Sequence, residues 1–124
     1  ADVPRIVEAA RAAGVDVTLE LVDVGRVSAG AEITVCSMVR EALANTARYA
    51  GPTSARVVLR RDADALRLTV EDDGPAPGWG ARPGAGHGLR GLRERASALG
   101  GTLTAEPSGR GFVLTARLPE RTPS

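Results

Sequence analysis

Ser54-Ala-Arg-Val-Val-Leu-Arg-Arg61, then Asp62-Ala63-Asp64, then Ala65-Leu-Arg-Leu-Thr-Val-Glu71, reads as two strands and the turn between them. Val57, Val58, Leu59, Leu66, Leu68 and Val70 suit a pleated, half-buried surface. The short acidic junction predicts a hairpin, and a hairpin pairs its strands antiparallel. Working outward toward the C-terminus, Thr102 to Ala105 and Phe112 to Leu118 predict a second hairpin, with a frayed tail after Pro119. Working outward toward the N-terminus, Val15 to Val22 alternates, with Val15, Val17, Leu19 and Leu21 on one face.

Three helices accompany these strands, one before the first and two between. Val3 to Ala13 places Ile6, Val7, Ala10 and Ala13 at helical spacing, and Gly14 stops it. A polar turn through Gly25 to Gly30 leads into a long helix, about Ala31 to Ala50, ended by Gly51-Pro52. Its apolar stripe is Cys36, Val39, Leu43, Ala47 and Ala50. Leu89 to Leu99 is the third, stopped by Gly100-Gly101. Gly74 to Gly86 has no periodicity and reads as a long surface loop of the kind that carries function. The expected fold is a two-layer α/β sandwich: a mixed sheet of about five strands with helices on one face. Residues 1–124 form one domain, with its core at about residues 15–119.

Composition narrows the function. A hydrophobic fraction of 43% with 25% charged residues is that of a globular domain, and 2% aromatic content demands an aliphatic core. No run approaches the roughly 18 apolar residues that cross a bilayer, and no N-terminal signal pattern is present. The lone Cys36 sits on an apolar stripe as a small buried hydrophobe; it allows no internal disulfide and fits a reducing cytoplasm. All 16 basic residues are arginine, but a net charge of +1 argues against a nucleic-acid partner.

Three segments carry chemistry. Glu41 and Asn45 are four residues apart, on one helix face and separated by roughly 6 Å of rise; Arg48 and Tyr49 lie one turn on. The plain alternative is a solvated polar face. Against it stands a set that suits a magnesium–nucleotide site. Asn offers a hard oxygen for Mg²⁺, Arg a fork for phosphate, and Tyr a ring to stack on a purine. Asp72-Asp73-Gly74 puts carboxylates where a strand opens into a loop. By itself that is a turn signal, yet a carboxylate there can accept a hydrogen bond from an exocyclic amine. Gly84-Ala-Gly86-His87-Gly88-Leu89-Arg90-Gly91 offers backbone approach without Cβ obstruction ahead of a helix N-terminus, where free N–H groups favour phosphate.

Taken in order, these segments resemble the ATP-binding (catalytic) domain of bacterial sensor histidine kinases, in the superfamily that also holds gyrase and MutL. The likeness covers roughly residues 31 to 119. Glu41-Ala-Leu-Ala-Asn45 is similar to the N-box, which implies that Asn45 holds Mg²⁺ and Glu41 assists catalysis. Val70-Glu71-Asp72-Asp73-Gly74 looks like the G1 box, which implies that Asp72 binds the adenine amino group, although Ala76 replaces the second glycine. Gly84–Gly91 resembles the G2 box, which implies that Gly86, His87, Gly88, Leu89 and Gly91 lie nearest the phosphates of a lid. Leu89-Arg-Gly-Leu-Arg-Glu-Arg95 with Leu99-Gly-Gly101 resembles the subgroup that partners helix-turn-helix response regulators. Phe112 stands where relatives often carry Thr near the base.

The resemblance implies transfer of the γ-phosphoryl group of Mg-ATP to a histidine on a separate phosphoacceptor and dimerisation domain. It implies a cytoplasmic domain, monomeric by itself, excised from a longer homodimer that is membrane-anchored or not. His87, the only histidine, is then a lid residue and not the acceptor. Two rivals stay open: an anti-sigma-type serine kinase of the same fold, and a nucleotide-sensing module without turnover.

Overall fold

A computed structural model describes residues 3–47, 53–74, 87–109 and 111–119, with His87, Gly88 and Ser108 described by backbone alone. The elements are α1 (Val3–Ala12), β1 (Asp16–Val22), α2 (Ala29–Asn45), β2 (Ser54–Asp62), β3 (Ala65–Asp72), α3 (His87–Ala98), β4 (Thr102–Ser108) and β5 (Gly111–Pro119). The five strands form one sheet in the order β1-β2-β3-β5-β4. β1 reaches β2 through the crossover helix α2, so this pair is parallel. The two hairpins make β2–β3 and β4–β5 antiparallel, as β3–β5 also is, which gives the expected mixed sheet.

Alternation puts the core on one face. Ala55, Val57 and Leu59 of β2, Leu66, Leu68 and Val70 of β3, Leu103 of β4, and Leu114, Ala116 and Leu118 of β5 are all buried. Against them α2 sets Val35, Cys36, Met38, Val39 and Leu43, and α3 sets Leu92 and Ala96. Burying each large aliphatic side chain contributes about 1.5–3 kcal/mol, so the aliphatic core holds without aromatics.

Several boundaries differ from expectation. α2 begins at Ala29 because Ser28 caps it, its Oγ accepting from the Ala31 N–H at 3.3 Å. Its regular part ends at Asn45, in a wider turn through Thr46 and Ala47; the expected extension to Ala50 and the Gly51-Pro52 stop lie outside the described residues. α3 starts at His87, two residues early, since Gly88 and Gly91 sit in its first turns without breaking it. β4 runs on through Pro107, which an edge strand tolerates because it has a free side. Leu21 does not join Val15 and Val17 in the core: it is 50% exposed at the far end of an edge strand. The expected loop beyond Gly74, residues 75–86, and the tail after Pro119 lie outside the described residues.

Two features fix the rim of this sheet. Arg11 of α1, paired with Glu8, donates from Nε and Nη2 to the Val17 carbonyl of edge strand β1 at 3.0 and 2.8 Å. At the end where α2 begins, the Arg61 guanidinium donates to the Val24 carbonyl at 3.0 Å and to that of Arg26, holding the β1–α2 connection. Beneath it a cavity of about 120 Å³ is lined chiefly by Val3, Val24, Val27, Val35, Leu59 and Leu66.

Candidate functional site

β3 ends beside the start of β2, and Asp72 is its last residue, in register with Ala55. By alternation with Leu66, Leu68 and Val70, Asp72 points to the helix side of the sheet. Its Oδ1 accepts from the Gly74 N–H at 2.8 Å and the Phe112 N–H at 3.3 Å; its Oδ2 accepts from the Thr46 hydroxyl at 3.0 Å. The first bond makes an Asx turn, so the turn signal in Asp-Asp-Gly and the placing of a carboxylate are one feature. Gly74 takes φ of +82°, which favours glycine there. Its carbonyl accepts from the Thr53 hydroxyl at 2.8 Å, and the Asp73 N–H donates to the Ser54 carbonyl at 3.0 Å. Gly111 completes the clamp from β5. A Cβ there would stand 2.1 Å from the Asp72 carbonyl, 2.5 Å from its Oδ1 and 2.7 Å from the Gly74 nitrogen. Only a glycine lets β5 approach this closely.

The end of α2 meets the same corner. Asn45 and Glu41 are half-buried, so their face is not simply a solvated one. The Asn45 Oδ1 is buried and, among the described residues, has no hydrogen-bond partner. A buried acceptor left unpaired costs about 1–3 kcal/mol. A hard neutral oxygen so placed fits a divalent ion, which takes few protein ligands and keeps phosphate oxygens and waters. Thr46, the next residue, is 4% exposed and ties this helix end to Asp72. The helix layer leaves part of the corner open. Phe112 alternates with Leu114 and Leu118 on the helix side, yet it is 53% exposed, opposite the exposed Pro107.

Of the residues expected at the site, Asn45 and Asp72 meet here through Thr46, with Gly74 in the turn and Glu41 one helical turn back. Arg48, Tyr49 and Gly86 lie outside the described residues. Gly88 and Gly91 belong to α3 and not to a loop before it. A Cβ at Gly91 would touch nothing within 4 Å among the described residues, so their packing does not demand glycine there. Leu89 turns its side chain into the core. Sequence reasoning missed Thr46, Thr53 and Gly111. The single available signal was a hydroxyl directly after Asn45, and nothing local links it to residue 72.

A clamped carboxylate and a buried amide oxygen at one sheet corner, with a helix N-terminus in the same layer, suit a nucleotide-binding α/β domain. The chain belongs to the family described as histidine kinase-, DNA gyrase B-, and HSP90-like ATPase, whose model matches residues 30–122. It is 34% identical over 103 residues to the signal transduction histidine-protein kinase/phosphatase UhpB of Salmonella typhimurium, covering 81% of this chain and 20% of that protein. It is 38% identical over 79 residues to the sensor histidine kinase YxjM of Bacillus subtilis, covering 61% and 19%. Among solved structures, the blue-light activated histidine kinase EL346 of Erythrobacter litoralis superposes with a TM-score of 0.68 at 26% identity, covering 94% of this chain and 40% of that one. The chain thus spans about a fifth of the length of these curated relatives. No described helix is long and apolar enough to cross a membrane.

Proposed function

We propose that this chain is the single ATP-binding domain of a longer sensor histidine kinase. In this reading it presents Mg-ATP to a histidine on the parent's phosphoacceptor and dimerisation domain, and the parent then serves a response regulator of the helix-turn-helix class. The observation that carries it is the Thr46–Asp72 contact, which brings the Asn45 helix end and the Asp72 turn into one corner. Asp72 accepts the exocyclic amine of adenine, and Glu41 polarises the attacking imidazole. Arg48 and the backbone amides of Gly86, Gly88 and Leu89 hold phosphates, with His87 and Gly91 beside them and Tyr49 stacked on the purine. Asn45 is the residue that would hold Mg²⁺; when bound, the ion neutralises charge on the phosphate oxygens. The protein's share is positioning and electrostatic stabilisation, which is most of phosphoryl-transfer catalysis.

Calorimetry tests the base reader. ATP binds far better than GTP, and Asp72→Asn weakens ATP by about 1.5–3 kcal/mol, the scale of a hydrogen bond to a charged group. Equal affinity for GTP, or an unaffected variant, refutes the reading. An acceptor domain supplied in trans should gain phosphohistidine, while the chain with ATP alone stays unlabelled. Serine phosphorylation of a partner, or no transfer at all, would favour the two rival readings.

A further inference from the structure

The Thr46 hydroxyl has one proton and two acceptors at equal range: the Ala42 carbonyl at 3.0 Å and Asp72 Oδ2 at 3.0 Å. The backbone N–H of Thr46 already reaches the Ala42 and Leu43 carbonyls, so the helix end is satisfied without the hydroxyl. A bond to an ionised carboxylate is roughly twice as strong as one to a neutral carbonyl, so the proton goes to Asp72.

The acceptor sites of Asp72 can then be counted. An ionised carboxylate has about four lone-pair sites. The Gly74 and Phe112 N–H groups occupy both on Oδ1, and Thr46 occupies one on Oδ2. Among the described residues one site is left, on Oδ2. Thr46 is 4% exposed, so solvent cannot readily take over its place if the hydroxyl is removed.

We propose that Thr46 is a positioning residue that makes Asp72 a reader of a single N–H donor, and so sets selectivity for a 6-aminopurine. This rests on the assignment of Asp72 as base reader. The hydroxyl fixes the plane of the carboxylate and fills the inward lone pair of Oδ2, leaving the outward one for the amine. Valine keeps the branched shape but removes the donor. Oδ2 then has two open sites, no fixed orientation, and an apolar methyl against its inner side.

The test compares ATP with purine riboside triphosphate, which lacks the 6-amino group, by calorimetry on this chain. The parent should prefer ATP by at least about tenfold, a difference of about 1.4 kcal/mol. Thr46→Val should reduce that preference to about threefold or less, chiefly by weakening ATP, while Thr46→Ser restores it to within about twofold of the parent. Retention of the full preference in Thr46→Val overturns the role of Thr46 and leaves the Asp72 assignment standing. No preference in the parent overturns the Asp72 assignment and this inference with it. Thermal melting accompanies each variant. Where Thr46→Val does not fold, Thr46→Ala removes the same donor, and its ATP preference decides the matter by the same thresholds.

Discussion

The two ends of α2 lie on one sheet and are built on opposite plans. Toward its start, Val35, Leu59, Leu66 and Val3 line a largely aliphatic cavity, and Arg61 bonds two backbone carbonyls of the adjoining connection. At its finish, Asn45 and Thr46 meet a carboxylate, a left-handed glycine and a half-open corner. The first end is fastened chiefly by burial, which is non-directional, with the Ser28 cap and the Arg61 bonds at its margin. The second is fastened by a few directed bonds, each with a specific donor and acceptor. On the proposed reading only the second end touches nucleotide, so mutations at the two ends should differ in their effect on binding even where both cost stability.

Gly111→Ala is the strongest challenge to the recognition end, because a Cβ would stand 2.1 Å from a backbone oxygen. The strands must part, at about 4 kcal/mol, the top of the range for single substitutions. Urea unfolding and calorimetry together should show lost stability and lost ATP binding. A variant of parental stability would mean that β5 does not hold Asp72. Leu66→Ala attacks the other end, where a side chain 1% exposed lines the cavity. It should cost about 3 kcal/mol, typical of a buried leucine truncated to alanine. ATP affinity, measured well below the melting temperature, should stay within about twofold of the parent. A large affinity loss would show that the two ends are coupled.

Asn45→Ala carries the smallest effect and the sharpest contrast. Removing a buried acceptor that has no partner among the described residues, and placing alanine in the last helical turn, should raise stability by about 1 kcal/mol in the absence of nucleotide. The same substitution should abolish most of the Mg²⁺ dependence of ATP binding. A drop in stability, or an unchanged response to Mg²⁺, would contradict the role given to Asn45.

The sequence made the apolar plan easier to read than the polar one. The apolar, β-branched-rich runs around Val57-Leu59 and Leu66-Val70 forecast the two strands, and the Asp62-Ala63-Asp64 turn forecast the hairpin, because burial and tight turns leave local signals. Leu21 broke the expected alternation, since alternation cannot say where the covering helix stops. Asn45 and Asp72 were legible as residue types suited to a task. The bond that unites their segments was not, because Thr46 and Asp72 are 26 positions apart and a lone threonine in a helix has many ordinary uses. Gly111 was hidden for the same reason: its need for a missing side chain arises from a neighbour on another strand.

The Arg11 clamp on the Val17 carbonyl has a consequence outside both ends. β1 is an edge of the sheet, and an edge carbonyl left open is an invitation for a strand of another molecule to add on. Two guanidinium nitrogens already occupy that carbonyl, and they bring a positive charge that an approaching backbone would have to displace. The first helix is thus more than a lid on the core. It is a stopper on the rim, favouring separate molecules over sheets joined edge to edge while the chain is concentrated or newly made.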